Sequence, residues 1–82
     1  MRIDKYLNAV NITKRRTVAQ DMIANKVVYI NGNAVKASKN VEIGDVISIG
    51  YLKGEKKYEV LQIPHTKSTP KSKQDEYVKE LA

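Results

Sequence analysis

Cysteine is absent from this 82-residue chain, and so are tryptophan and phenylalanine. Without cysteine there is no disulfide staple and no thiolate metal site, which suits a reducing compartment. The aromatic content is 6%, all of it tyrosine, as expected of a basic binding module rather than an enzyme with a deep apolar pocket. Histidine occurs once, as His65 between Pro64 and Thr66, and a lone histidine in a polar stretch reads as a solvated side chain. No glycine-rich phosphate loop and no paired-carboxylate pattern appears, and the glycines are spent on turns. The chain is therefore expected to be no enzyme, with no cofactor, no metal and no small-molecule substrate. No run approaches the roughly 18 apolar residues of a membrane span, and no signal-peptide core follows the start. A soluble, cytoplasmic protein without a membrane partner is expected. A chain this short buries only about 60–65% of the surface its unfolded form exposes, so one domain with a small core is expected.

What the chain does have is charge, and it is one-sided. Residues 1–40 hold eight Lys/Arg against Asp4 and Asp21, whereas residues 41–82 hold seven against seven, so the whole net charge of +6 lies in the first half. All three arginines fall within the first sixteen residues. A solubilising pattern would be spread out. This one predicts a face that meets a polyanion.

Ile3, Leu7 and Val10, with Tyr6 beside them, recur at helical spacing and predict a short helix over 3–10. Asn11-Ile12 breaks it, and Thr13 reads as the cap of a second helix with Val18, Ala19, Met22 and Ile23 as its buried stripe. Asn25 is expected in the left-handed position that ends it. From Val27 the pattern turns to β, with Asn31-Gly32 as a type I′ hairpin turn and Asn33–Lys36 as the return strand. Gly44-Asp45 precedes a strand at Val46–Ile49, and Lys53-Gly54-Glu55 turns into a last strand at Lys57–Ile63. Residues 1–63 thus read as one domain. Residues 64–82 read as a dispensable flexible linker with a possible short C-terminal helix around Tyr77, Val78 and Leu81.

Lys14, Arg15 and Arg16 fall at the first three positions of the expected second helix, where the dipole makes each cation cost about 0.3–1 kcal/mol. A docked phosphate would reverse that cost, because backbone amides and cations would converge on it. Arg2 and Lys5 add charge at the start of the first helix, and Asp4 between them reads as a cap, a partner for a neighbouring arginine, or both. Lys26 and Lys36 flank the hairpin. For Lys39 plain solvation weighs the same as contact. Tyr6 and Tyr29 read as half-buried core residues, with base stacking as the lesser alternative.

The string Arg2-Ile3-Asp4-Lys5-Tyr6-Leu7, Thr13-Lys14-Arg15-Arg16-Thr17-Val18-Ala19, Val27-Val28-Tyr29-Ile30-Asn31-Gly32, Lys36-Ala37-Ser38 and Val41-Glu42-Ile43-Gly44-Asp45-Val46-Ile47 closely resembles the αL RNA-binding motif. That motif is named from ribosomal small-subunit protein S-four and recurs in pseudouridine synthases and tyrosyl-tRNA synthetases. The resemblance covers about residues 1–50. It implies an α+β fold, with two N-terminal helices packed on a small, mostly antiparallel sheet. The family's RNA contacts match Arg2, Lys5, Lys14, Arg15, Arg16, Thr17, Lys26 and Lys36, and Asp4 matches its acidic position. Among stand-alone members the chain most resembles the short relatives of heat-shock protein fifteen, which act in ribosome-associated quality control. The resemblance implies binding of rRNA on the large ribosomal subunit, and of tRNA, by a monomer. Two alternatives remain open: an RNA-targeting subunit for a separate modifying enzyme, and a nonspecific DNA-binding protein.

Overall fold

In the computed structural model, which describes residues 1–66 and 68–81, two helices lie on one face of a five-stranded sheet. Helix α1 spans Ile3–Ala9 and buries Ile3, Tyr6 and Leu7, with Val10 just beyond its end, as the apolar spacing dictates. Asn11 takes a φ of 67° and closes it: the Asn11 amide donates to Asn8 O at 3.1 Å and the Ile12 amide to Leu7 O at 3.0 Å. This is a Schellman closure, in which a left-handed residue folds two amides back onto the last helical carbonyls.

Helix α2 spans Arg16–Ala24 and begins two residues later than expected. Thr13 does not cap it. Its buried hydroxyl instead donates to Arg15 O at 3.2 Å, and Arg15 occupies the cap position in extended backbone. Of the expected buried stripe, Ala19 and Ile23 are buried and Met22 packs against the core, whereas Val18 is 41% exposed. Asn25 has a φ of −81°, and the left-handed position belongs to Lys26 at 60°. The Lys26 amide donates to Ile23 O at 3.0 Å and that of Val27 to Met22 O at 3.2 Å. A second Schellman closure results, shifted by one residue from the sequence expectation.

The strands are β1 (Val28–Ile30), β2 (Asn33–Ala34), β3 (Val46–Tyr51), β4 (Gly54–Val60) and β5 (Val78–Leu81). Their order is β2-β1-β3-β4-β5, with every neighbouring pair antiparallel. Asn31 and Gly32 both have positive φ (51° and 85°), as a type I′ turn demands. The return strand is shorter than expected, with only Asn33 and Ala34 pairing. Register places Ile47 opposite Ile30 and Ile49 opposite Val28, so the four share one face. With Val60 and Val78 they meet the inward faces of both helices in a single core.

The segment from Pro64 onward departs most from the sequence reading. Pro64 and Thr69 are buried, residues Lys71–Lys73 form a 3₁₀ turn, and Gln74–Tyr77 form a single helical turn, α3. Val78 and Leu81, expected in a C-terminal helix, belong instead to β5, which pairs with β4 from Lys57↔Leu81 to Val60↔Val78. Lys67 and Ala82, two residues of the expected linker, lie outside the described residues. Polar contacts that no periodicity records bring this segment onto α1. The Thr69 amide and hydroxyl both donate to Ala9 O at 2.9 Å, Gln74 Nε2 donates to Val10 O at 2.8 Å, and Asn11 Nδ2 donates to Thr69 O at 2.7 Å. The bonds from Thr69 and Gln74 satisfy carbonyls left without partners at the end of α1. No helix among the described residues is long and apolar enough to cross a membrane.

Candidate nucleic-acid interface

Asp4 sits in the first turn of α1 with no exposed surface. A buried carboxylate needs donors around it, and four groups provide them. The Lys5 amide donates to Oδ1 at 2.8 Å, Arg16 Nε to Oδ2 at 3.1 Å and Gln20 Nε2 to Oδ2 at 3.0 Å. Arg2 completes the set, its Nε 3.3 Å from Oδ1. Burial by itself would raise the Asp4 carboxyl. The bonds from Gln20, Arg16 and the Lys5 amide, with the Arg16 charge, outweigh it and hold the group below its ordinary 3.8. Asp4 is thus the partner of two arginines. The cap position of α1 belongs to Arg2.

This anchoring fixes where the arginines point. Their side chains are 48% and 44% exposed for Arg2 and Arg16, so each guanidinium is tied on one edge and open on the other. Arg16 opens α2, whose N-terminus has no side-chain cap: the Val18 amide donates to Arg15 O at 3.1 Å, and the Arg16 and Thr17 amides stay uncapped beside the guanidinium. Lys14 precedes the helix and Arg15 sits at its cap, so Arg16 is the one cation of the three inside the first turn, where Asp4 offsets its dipole cost. Lys5 is half-buried on the next position of α1, and Lys14, Arg15 and Thr17 are exposed around the turn into α2.

Lys26 and Lys36 lie apart from this cluster. They line a groove of about 410 Å³ between α2 and the segment after β2, floored by Ile23, Ala34 and Val35. Gln20 joins the two parts, because it donates to Asp4 and also lines the groove. It stands four residues after Arg16, hence on the same helix face, and that spacing was the signal the sequence reading passed over. Lys39 takes a backbone role: its carbonyl accepts from the Ile3 amide at 2.7 Å, and Asn40 pairs with Arg2. Lys36 and Lys39 border a neighbouring concavity of about 580 Å³ below the hairpin. Tyr6 is fully buried and its hydroxyl donates to Tyr77 O at 3.1 Å; burial pushes the phenol well above its usual range. It is a core residue and offers no stacking surface.

A family model described as the S4 domain matches residues 1–47. Over 78 residues the chain is 47% identical to a protein of Helicobacter pylori named RQC P-site tRNA stabilizing factor, covering 95% of this chain and 93% of that one. A protein of the same name from Bacillus subtilis is 36% identical over 74 residues, covering 90% and 83%. Among solved structures, the trimeric heat shock protein 15 of Vibrio cholerae superposes with a TM-score of 0.89 at 30% identity, over 100% of this chain and 82% of that one.

Proposed function

The chain belongs to the S4-domain family, and from that premise we propose that it grips structured rRNA of the large ribosomal subunit, together with tRNA, during quality control of stalled nascent chains. It acts by binding alone, as a cytoplasmic monomer with no cofactor. The contacts are Arg2, Lys5, Lys14, Arg15, Arg16, Thr17, Lys26 and Lys36.

One observation carries this reading: a buried carboxylate holds two arginines at the surface with their outer edges free. A guanidinium presents a planar fork of donors suited to phosphate oxygens. Fixing that fork before RNA arrives removes part of the ordering cost of binding. Two such forks beside the first amides of α2, with Lys14 and Arg15 adjoining, form a phosphate-binding face whose one carboxylate, Asp4, is buried behind it. The Helicobacter and Bacillus relatives are named for stabilizing tRNA in the P site, which supports the choice of RNA over DNA as partner.

The test is a sucrose gradient of lysate containing tagged protein. The wild type should migrate with large subunits, and the variant carrying Arg2→Ala and Arg16→Ala should remain at the top. Equal migration of both, or displacement of bound RNA by duplex DNA at the same salt, would remove this reading.

A further inference from the structure

The sheet face that carries the core runs on past the helices. Ile47, Ile49 and Tyr51 alternate onto that face of β3, and register places Tyr58, Lys56 and Gly54 opposite them on β4. The inner pairs are covered, but the outer ones are not. Tyr51 is 43% exposed and Leu52, at the tip of the β3–β4 hairpin, is fully exposed. With Ile12, Tyr58, Lys53, Lys56 and Glu55 they line a concavity of about 700 Å³. Leu52 buries nothing in the fold, and part of the Tyr51 ring stays uncovered beside Tyr58.

The lysines show what would cover these side chains. Lys57 pairs with Glu55 at 3.6 Å and Lys56 with Glu80 at 3.5 Å, and Lys53 has no ion pair among the described residues. The tip therefore carries apolar and aromatic surface together with a positive charge. Ile12 closes the concavity on the helix side, and Lys14 and Arg15 stand two and three residues after it in the chain, so the backbone leads from the patch toward the proposed phosphate-binding face. Base-stacking sites have this composition: an aromatic ring for the base, cations for the backbone on either side of it.

We propose that this open end of the sheet takes an unpaired base of the bound RNA, stacked on Tyr51 and flanked by Leu52, with Lys53 on the adjoining phosphate. The site rests on the RNA-binding reading above but differs from it in kind. The arginine clamp holds backbone charge, whereas this site distinguishes unpaired from paired RNA.

The experiment uses the full chain and two RNA probes, a stem-loop with an unpaired loop and a blunt duplex of the same stem sequence. Anisotropy titrations at one salt concentration compare wild type with Tyr51→Leu and Leu52→Ser. Both residues are exposed, so both variants should keep the wild-type melting temperature. The expected result is a loss of about fivefold or more on the stem-loop for Tyr51→Leu, with less than twofold change on the duplex. A base analogue in the loop should lose its stacking-dependent quenching in the same variant. Unchanged stem-loop affinity would overturn the site while leaving the RNA reading intact, provided the double arginine variant loses both probes. Failure of the wild type to bind either probe would remove both. Concentration-dependent self-association of the wild type that Leu52→Ser abolishes, with stem-loop affinity unchanged, would assign the patch to a second copy and overturn the proposal.

Discussion

The two ends of α1 are built for different work. At its N-terminus a buried acid gathers two arginines and leaves them half exposed. At its C-terminus the last carbonyls are taken up by Thr69 and Gln74, from a segment whose described charges cancel, Lys71, Lys73 and Lys79 against Asp75, Glu76 and Glu80. One end spends its hydrogen bonds on presenting charge, the other on closing the fold. A charge count reveals the first kind of end and is blind to the second.

Four measurements would break or sharpen that contrast, and the largest effect is expected at the neutral end. Deleting residues 68–82 removes β5 and the caps on Ala9 and Val10, and uncovers the core that Val78 helps to close. Burying Val78 contributes about 1.5–3 kcal/mol by itself, and the buried hydrogen bonds about 1 kcal/mol each. Against a total of about 5–15 kcal/mol, the truncated chain should unfold largely on warming to 37 °C, as read by circular dichroism. A cooperative melt near that of the full chain, with RNA affinity retained, would show that the segment is dispensable.

Next comes Asp4→Ala, which strands the Gln20 amide and the Lys5 N–H and releases both arginines. A loss of about 2–3 kcal/mol is expected in urea melts, and RNA affinity should fall although a negative charge has been removed. A rise in affinity would mean that net charge, not orientation, governs binding. Third, the variant with Arg2→Ala and Arg16→Ala should bind RNA at least tenfold more weakly, at about 1 kcal/mol or more per charge-assisted contact. The wild-type dependence of log K on log salt should have a slope of about −3 to −5 if four to six phosphates are neutralised. A slope near zero would shift the weight to stacking.

The smallest effect concerns pH. Asp4 titrates below its ordinary value in the folded protein, so its contribution to stability is complete above about pH 4. It is lost as pH falls through the lower, folded value. Chemical denaturation between pH 5 and 2 should therefore show an acid limb that Asp4→Asn flattens. An identical limb in both proteins would mean that other carboxylates carry it.

The asymmetry between the ends also marks what the sequence made legible. The α1 stripe, the Asn31-Gly32 turn, the β3 strand and the cluster of basic residues are all local patterns, and the structure contains each of them. Three features were not legible, each for a physical reason. Thr13 has the chemistry of a cap, but its hydroxyl donates to Arg15 O, so α2 begins at Arg16. Lys26 takes the left-handed position beside an asparagine better suited to it, because the closing bonds count from the true end of the helix. Residues 64–81 have little apolar periodicity, and Thr69, Gln74 and Tyr77 are held by polar contacts with residues some sixty to seventy positions earlier. The roles of the candidate site residues in binding RNA await the arginine variants. Their placement shows Arg2, Lys5 and Arg16 gathered around Asp4, with Lys26 and Lys36 reached through Gln20.

The bonds from Thr69 to Ala9 and from Tyr6 to Tyr77 span 60 and 71 residues of chain. Synthesis runs from the N-terminus, and contacts of long sequence separation form late. While the protein is being made, α1 and the turn carrying Lys14 and Arg15 emerge early with their far end unfinished. Their shape is completed only when the strand beside β4 arrives. A nascent copy therefore holds its cations on an unfinished frame, and a finished copy should grip RNA more tightly than its own growing chain.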